Sequence, residues 1–267
     1  METYKKVMWG SVILAIIAVI SLIVYFFFIK KEPPPPPPPA PALASGTEAR
    51  ETVPPVEEAP VKKESDNPLL LDIKLNESDK TLREVLSDCS PRRDFKEWLK
   101  NKDLIRRFVA VVDNVAGGEN PAPHLAFLVP TGKFRVITKG DNIYMDPTSY
   151  RRYDPVTDVF VSLDTQKLVD IFRQVKPLAD EAYKELGYPG KDFTDTLFQA
   201  FSVLINTPVP EGDILLVEKV TSYAFSDPGL ENLSAPQKHL IRMGPRNAVK
   251  IQEKLSEIAE AIRASKK

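Results

Sequence analysis

Between Lys6 and Lys30 the chain runs for 23 residues, Val7 to Ile29, without a charge. No feature constrains the fold more. At about 1.5 Å per residue this is about 34 Å of helix, enough to cross a hydrocarbon core of about 30 Å with some tilt. A soluble helix that is apolar on every face for six turns would need a far larger core than this chain can build around it. Trp9 and Tyr25 fall near the two ends, where amphipathic rings favour the membrane interface. Lys5, Lys6, Lys30 and Lys31 bracket the run. A cleaved signal peptide is the competing reading. Its A-x-A site, at Ala42–Ser45, lies beyond a block of prolines and far from the apolar run, so a retained single-pass anchor is expected. The flanking lysines tie at two each. The free amine on the short tail (residues 1–6) and the acidic outer flank favour an N-terminus in the cytoplasm and the bulk of the chain outside. Ser11, Ala15 and Ala18 form a stripe of small residues, a face through which two anchors could form a homodimer.

Seven consecutive prolines, Pro33–Pro39, follow almost at once. Each fixes φ and removes a donor, so this stretch forms neither helix nor sheet but a polyproline rod of about 22 Å. From Ala40 to Pro68 the chain is rich in Ala, Glu, Pro, Val and Lys, too polar to bury a core. The expected organisation is a tail (1–6), a transmembrane helix (7–29), a stiff then disordered linker (30–68) and a folded domain (69–267). The linker reads as a spacer, with recognition of its prolines by a partner as the alternative.

The folded segment is electrically neutral, with 29 basic and 29 acidic residues. It lacks the basic excess from which nucleic-acid binders draw most of their affinity, so no nucleic-acid partner is expected. Cys89 is the only cysteine. Intrachain disulfides and C-x-x-C sites are excluded, and the side chain reads as a small buried group.

Helical signals dominate this segment. Ser90 and Pro91 stand as N-cap and first residue of a helix over "SPRRDFKEWL". Leu104, Ile105, Phe108, Val111, Val112 and Val115 keep the spacing of one helix face, with Gly117 as its stop and Asp103 placed to pair with Arg107. "DTQKLVDIFRQVKPLADEAYKELG" predicts a long helix capped by Asp164, ended by Gly187 and kinked at Pro177. "FTDTLFQAFSVLIN" predicts another. Ser234–Gln237 has capping-box spacing, and Gly244-Pro245 separates that helix from a last one. "FRVITKGDNIYMD" reads as a hairpin turning at Gly140-Asp141-Asn142, and "DILLVEKVTSYAF" as strand or extended chain. The fold class is mostly α, one soluble helical domain with a small β element.

Three strings, "DLIRRFVAVVDNVAGGENPAPHLAFL", "DEAYKELGYPGKDF" and "RMGPRN", together resemble a bacterial family defined only as domain of unknown function 3014. The similarity spans roughly Leu69 to Ile262. The resemblance implies bacterial origin and an anchored, envelope-facing domain. It brings no activity, ligand or catalytic residue.

A search for chemistry returns little. His124 and His239 lie in separate segments without a ligand pattern, and no phosphate loop, nucleophile elbow or zinc motif is present. No catalytic residue, metal or cofactor is therefore assigned. Asp180, Glu181 and Glu185 share two helical turns and read as a solvated face, with Lys184 placed to pair with Asp180. Three arginine pairs, Arg92-Arg93, Arg106-Arg107 and Arg151-Arg152, would form an anion site for lipid heads or wall polymer if the fold gathers them. The leading expectation is a tethered interaction or scaffold module at the inner membrane, reaching an envelope protein or wall polymer. The alternative is an anchored enzyme acting on peptidoglycan or a lipid-linked substrate. Converging carboxylates in a single cleft would favour the enzyme.

Overall fold

In the computed structural model of the protein, residues 73–265 are described, and they belong to a compact unit spanning Lys63–Lys267. The tail, the apolar run with its small-residue stripe, and the linker lie outside the described residues. Among those that are described, no helix is long and apolar enough to cross a membrane.

Nine α-helices carry the described fold: α1 (Ser78–Leu86), α2 (Arg93–Trp98), α3 (Leu104–Ala116), α4 (Asp154–Val161), α5 (Thr165–Glu185), α6 (Phe193–Ile205), α7 (Pro228–Glu231), α8 (Ala235–Arg242) and α9 (Pro245–Ala264). The heptad-like apolar face of α3 packs against α5 and α6, and α9 closes the group by packing on α4, α5 and α6. Their shared core includes Val109, Val169, Ala179, Phe193 and Leu197. A second cluster, built on Tyr153, Leu240, Met243 and Ile251, shares Phe160, Phe201 and Leu204 with the first and extends the core toward α8.

The β element is larger than one hairpin. Four antiparallel strands, β1 (Val136–Lys139), β2 (Asn142–Met145), β3 (Leu215–Glu218) and β4 (Tyr223–Phe225), form a sheet in chain order. The first turn is the expected one. Lys139 faces Asn142, leaving Gly140-Asp141 as a two-residue loop, with Gly140 at φ +60° where type II′ turns place glycine. The segment read as strand or extended is itself a second hairpin, closed by Lys219 N–H donating to Ser222 O. It joins the first through Ile143 opposite Leu216. Met145, Leu216 and Phe225 then bury one sheet face against Ile241 of α8.

Most caps match expectation. Asp164 accepts from Lys167 N–H, and Ser234 and Gln237 form the capping box. Gly117 sits at the end of α3, and Gly118 takes the left-handed conformation at φ +76° that completes the stop. Helix α5 runs through Pro177 as one element.

Three local expectations are corrected. Helix α2 begins at Arg93, because Ser90 is buried and its hydroxyl is engaged with Ser162 Oγ at 2.7 Å and accepts from Arg92 N–H. Asp103 pairs with Arg106 at 3.7 Å, one position short of the expected partner, because Arg107 turns to the carbonyls of Lys102 and His124. Asp180 pairs with Lys176 at 2.8 Å in place of Lys184, and it also accepts from Phe193 N–H. Cys89 is buried as expected, and burial pushes its thiol up to about 11, which keeps it unreactive near neutral pH.

Candidate functional site: a tyrosine-carboxylate cleft

The chain between α5 and α6 is stapled at its far end. Lys176 of α5 bridges Asp180 and Asp192, and Asp192 caps α6 by accepting from Thr194 N–H at 2.7 Å. Gly187 and Gly190, at φ +97° and +80°, let the chain reverse between these fixed points. The result is a short rigid loop that presents Tyr188 and Lys191 beside the C-terminal half of α3.

Together these elements enclose a polar cleft of about 590 Å³. Its walls are Asp113 from α3, Tyr183 from the last turn of α5, Tyr188 and Lys191 from the loop, and Asp195 and Thr196 from α6. Tyr183 is buried, and its ring stacks on the half-buried Tyr188 with centroids 4.7 Å apart and planes 22° from parallel. The Lys191 ammonium lies 4.9 Å from the Tyr188 centroid. Thr196 Oγ1 donates to the Tyr183 hydroxyl at 2.9 Å. Tyr188 Oη donates to Asp113 Oδ2 at the long distance of 3.5 Å.

The electrostatics distinguish the carboxylates. Burial raises the Asp113 carboxyl above its usual range, against the opposing pull of the two tyrosine hydroxyls and Lys191. The Asp113 charge in turn raises the Tyr188 phenol, with burial adding to it. Burial also works to raise Asp192, but hydrogen bonds from Thr194 and Lys176 outweigh it and hold this carboxyl below its usual range. Asp192 is thus tied into the fold, whereas desolvation leaves the Asp113 carboxylate the less stabilised of the two. Asp195 is exposed at the rim.

The arginine pairs lie on separate elements with separate partners. Arg92 pairs with Asp158 at 3.5 Å, and Arg93 opens α2 exposed to solvent. Arg106 makes a two-pronged contact with Glu185 at 2.6 and 2.9 Å and also reaches Asn76. Arg107 is held by main-chain carbonyls. Arg151 is exposed, while Arg152 donates to Ser149 O and Gly132 O and lies over the Phe134 and Tyr153 rings. Of the acidic face on α5, Glu185 is taken by Arg106 and Asp180 by the loop staple. His239 lies edge-on against Tyr153 with its outer side exposed, and the protein packed around its ring, with Arg242 and Arg152 nearby, lowers its pKa. Among the described residues no cluster of His, Cys, Asp or Glu could hold a metal ion.

Sequence reasoning did not single out Asp113, Tyr183, Tyr188, Lys191, Asp195 or Thr196. A signal was nevertheless present. Two tyrosines flank a glycine helix stop, followed by a second glycine, a lysine and an N-cap aspartate. Asp113 gave no such signal, because its contact with Tyr188 spans 75 residues of chain.

The third string, "RMGPRN", has a different use. Gly244 adopts φ +86° and ψ 158°, and a Cβ there would lie 2.3 Å from Tyr150 Cγ. Asn247 is buried, its amide nitrogen within hydrogen-bond distance of Tyr150 O, Asp154 Oδ1 and Met243 O. Arg242 lies 4.5 Å from the Phe225 centroid and donates to Tyr223 O. This string locks the sheet to the helices.

Fold and cleft together define a mostly α domain that pairs a helical bundle with a small antiparallel sheet and opens a polar, aromatic-lined recess. The chain belongs to the family described as Protein of unknown function (DUF3014), whose model matches residues 104–259, a span that includes every cleft residue named above. Neither a curated protein nor a solved structure matches it.

Proposed function

We propose that this chain is a single-pass, membrane-tethered binding module of the bacterial cell envelope, its folded domain held on the outer side of the inner membrane. Its cleft takes a hydroxyl-rich segment of a wall polymer. The observation that carries this reading is the Tyr183–Tyr188 stack beside a desolvated carboxylate. A half-buried aromatic face accepts the C–H face of a sugar ring, while Asp113, Asp195 and Thr196 accept and donate to hydroxyls around it. Lys191 adds a cation suited to a carboxylate on the same polymer. The apolar run and proline rod supply the tether and the reach.

The test is co-sedimentation of the full chain, in nanodiscs, with purified sacculi. Tyr188→Ala is expected to weaken binding about tenfold, worth about 1.4 kcal/mol, with a cooperative melt lowered by no more than about 4 °C. Equal retention of the variant and the parent sinks the reading.

One observation favours a second reading, an anchored hydrolase of the same polymer. The raised Asp113 carboxyl shares its cleft with the exposed Asp195, an arrangement in which a general acid and a base can divide the work. Release of soluble fragments by the parent but not by Asp113→Asn would establish it in place of simple binding.

A further inference from the structure

The opposite sides of the helices that build the polar cleft enclose a second space. A cavity of about 490 Å³ lies among α1, α3, α4, α5, α6 and α9, and all 22 residues of its wall are Leu, Ile, Val, Phe or Ala. Protein interiors normally close to crystal-like density and leave few voids larger than a water molecule. An apolar cavity of about 150 Å³ already stays dry and admits benzene, and pockets of about 300–1,000 Å³ hold whole ligands. A space of this size with an almost wholly apolar wall offers water little to bind. It also withholds contact from side chains such as Val112, Leu197 and Ile258.

We propose that this cavity binds a single-chain amphiphile, with its aliphatic chain inside and its polar end in solvent. The wall decides the chemistry. A ligand heteroatom carried inward would lose water and find almost no hydrogen-bond partner, which favours hydrocarbon for the buried part. The volume suits one chain rather than two. The wall is also open to the surface: Phe108 is 42 % exposed, and Leu86, Phe160, Ile171 and Phe172 are only half-buried. A chain can therefore enter without unfolding the bundle, and its head can stay wet. Transfer of each methylene from water into such a site is worth about 0.8 kcal/mol, enough for a long chain to bind without any polar contact. The inference rests on the apolar cavity alone and stands whether or not the polar cleft binds a glycan.

The test uses the full chain in nanodiscs with a diazirine-bearing palmitate, photolysed and mapped by mass spectrometry. Adducts are expected on cavity peptides, such as those carrying Phe201 and Ile258, and excess unlabelled palmitate should abolish them. Ala200→Phe on α6 and Val175→Phe on α5 each fill the space from a different wall. Each is expected to cut cavity labelling about tenfold while the polar cleft keeps its sacculus binding. Adducts confined to residues 7–29, cavity adducts that excess palmitate leaves unchanged, or cavity adducts obtained only from a two-chain phosphatidylcholine probe would overturn the proposal. Mapping and competition on the parent protein decide the matter even if both filled variants misfold.

Discussion

The tyrosine-carboxylate cleft and the Gly244 joint both lie within the span matched by the family model, and they handle polar groups in opposite ways. At the joint, every polar atom named above has a partner, and the glycine is demanded by a ring that leaves no room for Cβ. At the cleft, Asp113 is partly desolvated, and the two tyrosine hydroxyls and Lys191 beside it do not offset that cost, so its charge is tolerated rather than welcomed. A buried group fully satisfied by its neighbours serves the fold. A group kept in a recess at some cost to stability is the better sign of a ligand.

Substitutions sharpen this contrast. Gly244→Ala should have the largest effect. It places a methyl group against Tyr150 and forces an L-residue into a region of backbone space that is nearly glycine-only, a loss of more than about 3 kcal/mol read as a collapsed or absent thermal transition. Asn247→Ala comes next, at about 1–3 kcal/mol, because three buried or part-buried acceptors lose their donor; chemical denaturation measures it. Tyr188→Ala should cost about 1 kcal/mol or less in the same assay, since one half-buried ring stack and one long hydrogen bond are lost, while weakening sacculus binding about tenfold. A joint variant that melts like the parent, or a Tyr188 variant that unfolds, would break the distinction.

Asp113→Asn should give the smallest effect, and of opposite sign. The folded-state pKa of Asp113 lies above its unfolded value. Below the unfolded pKa the carboxyl is protonated in both states and carries no penalty. As pH rises through the folded pKa a destabilising contribution develops, and it persists above. The asparagine variant should therefore melt slightly higher than the parent at neutral pH, with the gap closing in acid through the carboxyl range. A variant less stable than the parent at neutral pH would show that Asp113 serves the fold.

Much of the helical framework was legible in the sequence because its signals are local. The Asp164 cap, the capping box at Ser234–Gln237, the glycine stop after α3 and the break at Gly244-Pro245 each depend on residues a few positions apart. The misread pairings have two causes. Asp103 and Asp180 took other partners within a helical turn than the ones expected, Arg106 and Lys176, whereas Ser90 and Arg107 were drawn to groups far along the chain. Ser162 lies 72 residues from Ser90, and Arg107 reaches His124 across a loop. The sheet was half legible for the second reason. The Gly140 turn announces its own hairpin, but nothing in either hairpin states that Ile143 will pair with Leu216.

Pattern along the chain was therefore sufficient for the class of fold, several of the helix ends and the expectation of a tethered domain, since propensity, capping and hydropathy act over a few residues. Tertiary structure alone decided which strings became machinery. It set Asp113 against Tyr188, gave the glycine of "RMGPRN" to a Tyr150 contact, and left a hydrocarbon-lined space where close packing was expected. The physical reason is that desolvation and shape depend on which distant segments meet, and a one-dimensional pattern does not carry that information.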